Sequence, residues 1–148
     1  MALLFGILRH MSYWINVVSR DHVQRGVEGG FTQANHGKPW ALKKMERGDW
    51  IIFYSPKTNF EGGKPLQAFT AVCQVIDNEP YQAVVTPSFS PWRRDVHFEN
   101  AIEAPIKPLI DELNFIENKV QWGYKFRFGV IQIDEHDFLK IKQAMGLT

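Results

Sequence analysis

Asn16 stands in an otherwise apolar run, Tyr13-Trp14-Ile15-Asn16-Val17-Val18. A carboxamide buried in such a run needs hydrogen-bond partners, because burial without them costs free energy. Two hydroxyls close similar stretches: Ser19 after this run, and Ser55 after Trp50-Ile51-Ile52-Phe53-Tyr54. Rings and cations stand together in Phe89-Ser90-Pro91-Trp92-Arg93-Arg94, and Phe31-Thr32-Gln33 follows the pair Gly29-Gly30. Such residues could hold a flat heterocycle. Aromatic faces stack on a base for about 1–3 kcal/mol each, amides and hydroxyls read its edge, and cations meet flanking phosphates. Phe31 and Trp92 are candidate faces, Asn16, Ser19, Gln33 and Ser55 candidate edge readers, and Lys57, Arg93 and Arg94 candidate phosphate contacts. Strand alternation lets at most one of the two arginines face such a site. The plainer reading of Trp14 is core filler, and Ser55-Pro56-Lys57 also reads as a simple strand end.

The patterns of catalysis are weaker. His10, His22, His36, His97 and His136 stand in no His-x-x-x-His or His-Glu-x-x-His relation, so no metal site is indicated. There is no Gly-x-Gly-x-x-Gly, no P-loop and no Gly-x-Ser-x-Gly elbow. Ser55, His36 and Asp49 could form a triad only by meeting in space, and nothing local supports that. No cofactor is expected, and the sequence carries no positive sign of an enzyme.

A net charge of +1 gives no global field to hold a polyanion. Broad phosphate binding draws its affinity from many cations, so contact with nucleic acid would be local and pocket-based. The single cysteine, Cys73, excludes an intrachain disulfide and reads as a buried thiol in a reducing cytosol. Residues 1–10 are apolar but short, without a charged n-region or cleavage site, and read as a dispensable extension. The remaining 11–148 form one domain, expected in the cytoplasm and with no membrane span.

The elements that must position these groups are short. Alternation predicts a strand over 12–18, with Tyr13, Ile15 and Val17 on one face and Trp14, Asn16 and Val18 on the other. Ser19 reads as the N-cap of a helix that Gly26 ends. A short helix follows over 39–45, then a strand over 50–55 that Pro56 stops. Strands are predicted over 67–76 (apolar on both faces, hence central), 81–85, 93–99 and 126–133, with helical pieces over 109–113 and 117–121. Asp134-x-x-Asp137 reads as a capping box for a last helix carrying Phe138, Ile141 and Met145. The order suggests an α+β fold, a curled and mostly antiparallel sheet with helices at its ends.

Several runs are also familiar. They are Tyr13-Trp14-Ile15-Asn16-Val17-Val18-Ser19-x-x-His22-Val23, Gly26-Val27-x-Gly29-Gly30-Phe31-x-Gln33-x-x-His36-Gly37-Lys38 and Met45-x-x-Gly48-Asp49. Tyr54-Ser55-Pro56-Lys57, Leu66-Gln67-x-Phe69-Thr70-Ala71, Phe89-x-Pro91-x-Arg93-Arg94 and Trp122-Gly123-x-x-Phe126-Arg127-x-Gly129 continue the series. In this order they resemble the EVE domain over roughly 12–141. The resemblance implies a PUA-like fold, a small barrel-like sheet with short helices around it, similar in architecture to YTH domains, which cage a methylated adenine. It further implies a non-catalytic module that reads a modified base, such as a modified cytosine, in DNA or RNA, beside restriction or RNA-processing partners. The implied pocket takes in Asn16, Ser19, Phe31, Thr32, Gln33, Ser55 and Lys57, closed by Phe89 and Trp92, with Arg93 placed beside it by its charge. Phe31 departs from the Trp of YTH domains and some relatives, and so stacks over less area without an N–H donor. The alternative is a small-molecule binder or enzyme using the same concavity for a nucleoside-like ligand.

Overall fold

The computed structural model describes residues 11–148, so the expectation for 1–10 lies outside the described residues. Strand β1 (Tyr13–Val17) leads through helix α1 (Arg20–Gly29) to the short β2 (Phe31–Thr32), a 3-10 turn (Asn35–Gly37) and helix α2 (Trp40–Lys44). Strands β3 (Trp50–Lys57) and β4 (Pro65–Val75) follow, then β5 (Tyr81–Gln82), β6 (Trp92–Phe98) and β7 (Ala104–Pro105). Two 3-10 segments (Lys107–Glu112, Tyr124–Phe128), β8 (Val130–Ile133) and helix α3 (Glu135–Ala144) complete the chain. The sheet runs β2-β6-β4-β3-β1-β8, with β5 on β6 and β7 on β4, and curls into a half-barrel. Among the described residues only β1 and β3 pair in parallel; the other pairings are antiparallel.

The alternation in β1 sorts side chains as expected. Ile15, with Tyr13 and Val17 beside it, joins a core shared with Ile52, Tyr54, Phe69 and Phe126. Trp14 and Val18 belong to a second core on the other face, with Ile51, Phe53, Ala71 and Val96. Both faces of β3 and β4 are therefore covered, which is why these strands are apolar throughout. Within β4 the register shifts by one residue at Thr70, so Phe69 and Ala71 serve opposite cores.

Four expectations need correction. Helix α1 passes Gly26 and ends at Gly30, whose left-handed backbone (φ 72°) donates its N–H to the Gly26 carbonyl at 2.7 Å. Gly26 is retained for contact: a Cβ there would lie 2.6 Å from the Phe31 carbonyl oxygen. Pro56 does not end β3, because the register shift between Ser55 and Lys57 leaves its missing N–H without consequence. Residues 117–121 are turns, since the Asn118 side chain accepts the Val120 and Gln121 N–H groups, both at 3.0 Å, and so competes with a helix. Tyr124–Phe128 is a 3-10 turn closed by Gly129 at φ 79°, which confines the last strand to β8.

Asp134 caps α3, accepting the Asp137 N–H at 2.8 Å. The reciprocal half of the box is absent. Asp137 is fully buried and instead accepts the Asn114 and Phe115 N–H groups, both at 2.8 Å. The Asp137 N–H and the Asn114 side chain hold the Asp134 carboxyl below the usual carboxylate range. A carboxylate with a lowered folded pKa stabilises fully above its unfolded pKa, and the effect fades as pH falls through the folded value. Asp134→Ala is therefore expected to cost about 1 kcal/mol at neutral pH, shrinking towards zero on acidification. Urea unfolding of both proteins across that range measures it.

Candidate functional site

At the end of β1 the Asn16 side chain is 1% exposed. Its Nδ2 donates to Thr32 Oγ1 at 3.1 Å and to the Gln33 carbonyl at 2.6 Å. The Gln33 carbonyl can only accept, so the amide orientation is fixed. Asn16 Oδ1 then points away from both partners, buried and without a hydrogen-bond partner among the described residues. It is a preset acceptor.

The segment after β2 is shaped by backbone geometry. After β2, Asn35, His36 and Gly37 take φ values of 49°, 57° and 84°, three left-handed residues in succession. Two of them carry side chains, which makes the turn strained. Gly37 is also required sterically, because a Cβ there would meet Pro91 at 2.8 Å and the Phe89 ring at 3.3 Å. Asn and Gly tolerate this conformation best, so Asn35 and Gly37 are the residue types in the sequence that mark such a turn.

Five predicted residues form one connected patch. Thr32 pairs with Arg94 and Phe31 with Asp95 in the β2–β6 ladder. Arg93 lies with its guanidinium carbon 3.7 Å from the Phe31 ring centroid and donates through Nε to Gln33 Oε1 at 2.8 Å. Asn16 and Thr32 thus meet on the side of β2 that carries Arg94, Phe31 and Arg93 meet on the other side, and Gln33 joins the two through its carbonyl and its Oε1. Phe89 is 43% exposed and reaches the rim beside Gly37.

Trp92 does not join Phe31. Alternation along β6 places it with Arg94, on the opposite side of the strand from Arg93. It packs against the second core, with Lys43 Nζ at 6.0 Å from its ring. The expected pair of aromatic faces is replaced by one ring and one guanidinium. Arg94 is no phosphate contact either: its fully buried side chain pairs with Asp77 at 2.6 Å and donates to the Leu42 and Met45 carbonyls.

Ser55, Ser19 and Lys57 are tied to neighbours. Ser55 Oγ donates to the Val18 carbonyl at 2.6 Å and lies 2.8 Å from Thr70 Oγ1, which the β4 bulge aims at it. Ser19 Oγ donates to Asp21 Oδ1 at 2.6 Å, and that oxygen also accepts the His22 and Phe60 N–H groups. Burial alone would raise the Asp21 pKa, but the hydrogen bonds from Ser19, His22 and Phe60, with the His22 ring, bring it below its ordinary value. Lys57 donates to the Phe60 carbonyl and sits over that ring, against which His22 stacks and His36 sets its edge. These residues brace the loop over 58–64 against α1.

Catalytic arrangements do not assemble from the expected groups. Asp49 accepts the Trp14 indole N–H at 3.0 Å and the Glu46 N–H at 2.9 Å. It lies six strand residues from Ser55, about 20 Å along β3. Burial pushes the Cys73 thiol well above its ordinary pKa, so it stays protonated and unreactive. Asp134, His136 and Asp137 offer ligand atoms within 4.8 Å of one another, but the two carboxylates are already engaged in capping and in the Asn114–Phe115 backbone. No helix among the described residues is long and apolar enough to cross a membrane. Two surface hollows lie away from Asn16, one along residues 11–13 and 132–135 and one between the ends of β3 and β4 and residues 120–127.

Known proteins bear on this arrangement. The chain is 65% identical over 135 residues to a UPF0310 protein of Mycolicibacterium vanbaalenii, covering 91% of this chain and 93% of that one. It is 40% identical to the UPF0310 protein YdcG of Bacillus subtilis, covering 93% and 94%. Among solved structures, an Agrobacterium tumefaciens protein superposes with a TM-score of 0.56 at 15% identity, covering 92% of this chain and 94% of that chain. A hypothetical protein of Leishmania major gives 0.57 at 14%, over 90% and 94%. These two likenesses show the fold. Residues 12–144 match the EVE domain, and with relatives this similar over nearly their whole length the chain belongs to the EVE domain family, with its PUA-like fold.

Proposed function

We propose that this chain is a non-catalytic nucleic-acid-binding module that takes one modified base at Asn16, beside the Phe31–Arg93 pair. The observation that carries the reading is Asn16 Oδ1, a buried acceptor held in place by two donated bonds and left without a donor. An exocyclic amine, such as cytosine N4 or adenine N6, supplies the donor it lacks. Phe31 offers the stacking face that the Arg93 guanidinium now covers. Displaced by a base, Arg93 is free to meet a flanking phosphate with its planar fork. Phe89 at the rim and the left-handed 35–37 turn bound the approach. A local site of this kind suits a chain of net charge +1. Membership in a PUA-like family often linked to nucleic-acid binding supports the same reading, and partners acting in restriction or RNA processing would supply the response.

The test is a binding titration with single-stranded and duplex oligonucleotides, DNA and RNA, carrying one methylated or unmodified cytosine or adenine. Tighter binding of a modified strand is expected, weakened in Phe31→Ala by about 1–3 kcal/mol, the worth of one stacked base. Equal, feeble affinity for every strand, indifferent to Phe31→Ala, would overturn the reading. Free nucleosides in a thermal-shift assay separate it from a metabolite binder, for which nucleosides alone would raise the melting temperature.

A further inference from the structure

On the face of β3 opposite Ser55, a second hollow of about 610 Å³ opens between the ends of β3 and β4 and residues 120–127. That volume lies within the range of small-ligand sites. Its lining includes Tyr54, Gln67, Gln121, Trp122 and Arg127. Gln67, at φ 54°, belongs to the bulge of β4 opposite Pro56, which sets where its side chain emerges. Its side-chain amide, like that of Gln121, makes no hydrogen bond to the described residues. Arg127 stacks its guanidinium 5.2 Å over the Tyr124 ring and forms no ion pair among them. The neighbouring cations are engaged: Lys125 pairs with Glu117 at 2.8 Å, and Lys119 donates to the Ile110 and Leu113 carbonyls. The Tyr54 ring stacks on Phe126 at 4.0 Å, and Trp122 stands edge-on to the same ring, which fixes both walls.

We infer that this hollow binds a nucleotide unit, a planar heterocycle joined to a phosphate. Each carboxamide presents a donor beside an acceptor, the pattern found on the edge of a base. The unpaired guanidinium matches a phosphate, and the indole offers a stacking wall. An apolar peptide would leave two amides and a cation buried without partners. The site is separate from the Asn16 patch, because Tyr54 faces the first core while Asn16, like Trp14 and its ladder partner Phe53, faces the second. The unit comes either as a free mononucleotide or as part of a single strand.

The experiment follows the side-chain amide resonances of Gln67 and Gln121 and the Trp122 indole N–H in the full chain by heteronuclear NMR. The probes are adenosine monophosphate, adenosine, inorganic phosphate and an unmodified single-stranded oligonucleotide. Saturable shifts of all three groups with adenosine monophosphate are expected. Arg127→Met should weaken it about tenfold, as befits a charge-assisted contact, and leave adenosine unaffected. The exposed position of Arg127 keeps that variant folded, which the same spectra verify. Stronger shifts with the oligonucleotide than with the mononucleotide identify a strand as the source, and the reverse order a free nucleotide. The inference is overturned if neither probe moves these resonances, if inorganic phosphate reproduces the shifts, or if Arg127→Met changes nothing. It is equally overturned if Asn16→Leu abolishes the shifts, since they would then belong to the other site.

Discussion

Arg94→Met is expected to lower the free energy of unfolding by about 3–5 kcal/mol, the usual result of removing one partner from a buried ion pair. Arg94 has no exposed side-chain surface, yet it serves four acceptors, two on Asp77 and two at the end of α2. Nε pairs with Asp77 at 2.6 Å, and Nη1 donates to the Leu42 and Met45 carbonyls at 2.8 and 2.5 Å. The latter two are carbonyls at the C-terminal end of α2, so one guanidinium closes that helix and docks it on β6. Truncation leaves the Asp77 carboxylate half-sheltered without its cation and the Met45 carbonyl without its donor. Arg94→Lys should recover only part of the loss, because an ammonium cannot span the same acceptors as a planar fork. Urea unfolding measures the change through the midpoint at constant slope. Arg93→Met is the control, expected to cost under about 1 kcal/mol since its partners stay solvated. Should Arg94→Met unfold within 1 kcal/mol of the parent, the guanidinium is not what anchors α2.

Asn16→Leu is expected to separate binding from stability. A buried acceptor without a partner costs about 1–3 kcal/mol, and the leucine side chain, similar in branching, removes that cost along with the bonds to Thr32 and Gln33. The Gln33 carbonyl keeps a donor, Thr32 Oγ1 at 3.3 Å. Folding stability should therefore change by no more than about 1–2 kcal/mol in either direction. Affinity for the modified strand should fall about ten- to a hundredfold, because the amine of the base is left buried without an acceptor. A variant that keeps full affinity shows that Oδ1 meets no ligand donor. One that loses several kcal/mol of stability shows that its two donated bonds, rather than the vacant oxygen, are the reason for the residue. Either result removes the observation on which the proposed reading rests.

The functional residues were legible to different degrees. Asn16 was marked by its own chemistry, an amide amid Trp14, Ile15 and Val17, and burial with a constrained set of partners is what the structure holds. Phe31 and Gln33 were placed by resemblance and Arg93 by its charge, and their mutual contacts follow from the β2–β6 register, which no local pattern states. Trp92 was misdirected for the same reason. Whether a ring flanked by Pro91 and Arg93 points inward depends on where pairing begins, and pairing is set by a partner strand sixty residues away. Ser55 and Thr70 meet only because a bulge inserts one residue into β4, and an insertion is invisible until both strands are aligned.

What the sequence determined alone was whatever a few adjacent residues decide. The two-residue period of β1 assigned its faces, Asp134 marked the start of α3, and the apolar run in β4 marked a strand covered on both sides. These are local preferences, and each is satisfied within a turn or a single strand. Tertiary structure decided the bonds of Asp137 with the backbone of Asn114 and Phe115, the burial of Arg94, and the left-handed 35–37 turn beside Phe89. Each of these depends on a partner distant in sequence, whose approach becomes favourable only once the sheet has curled and excluded water between them.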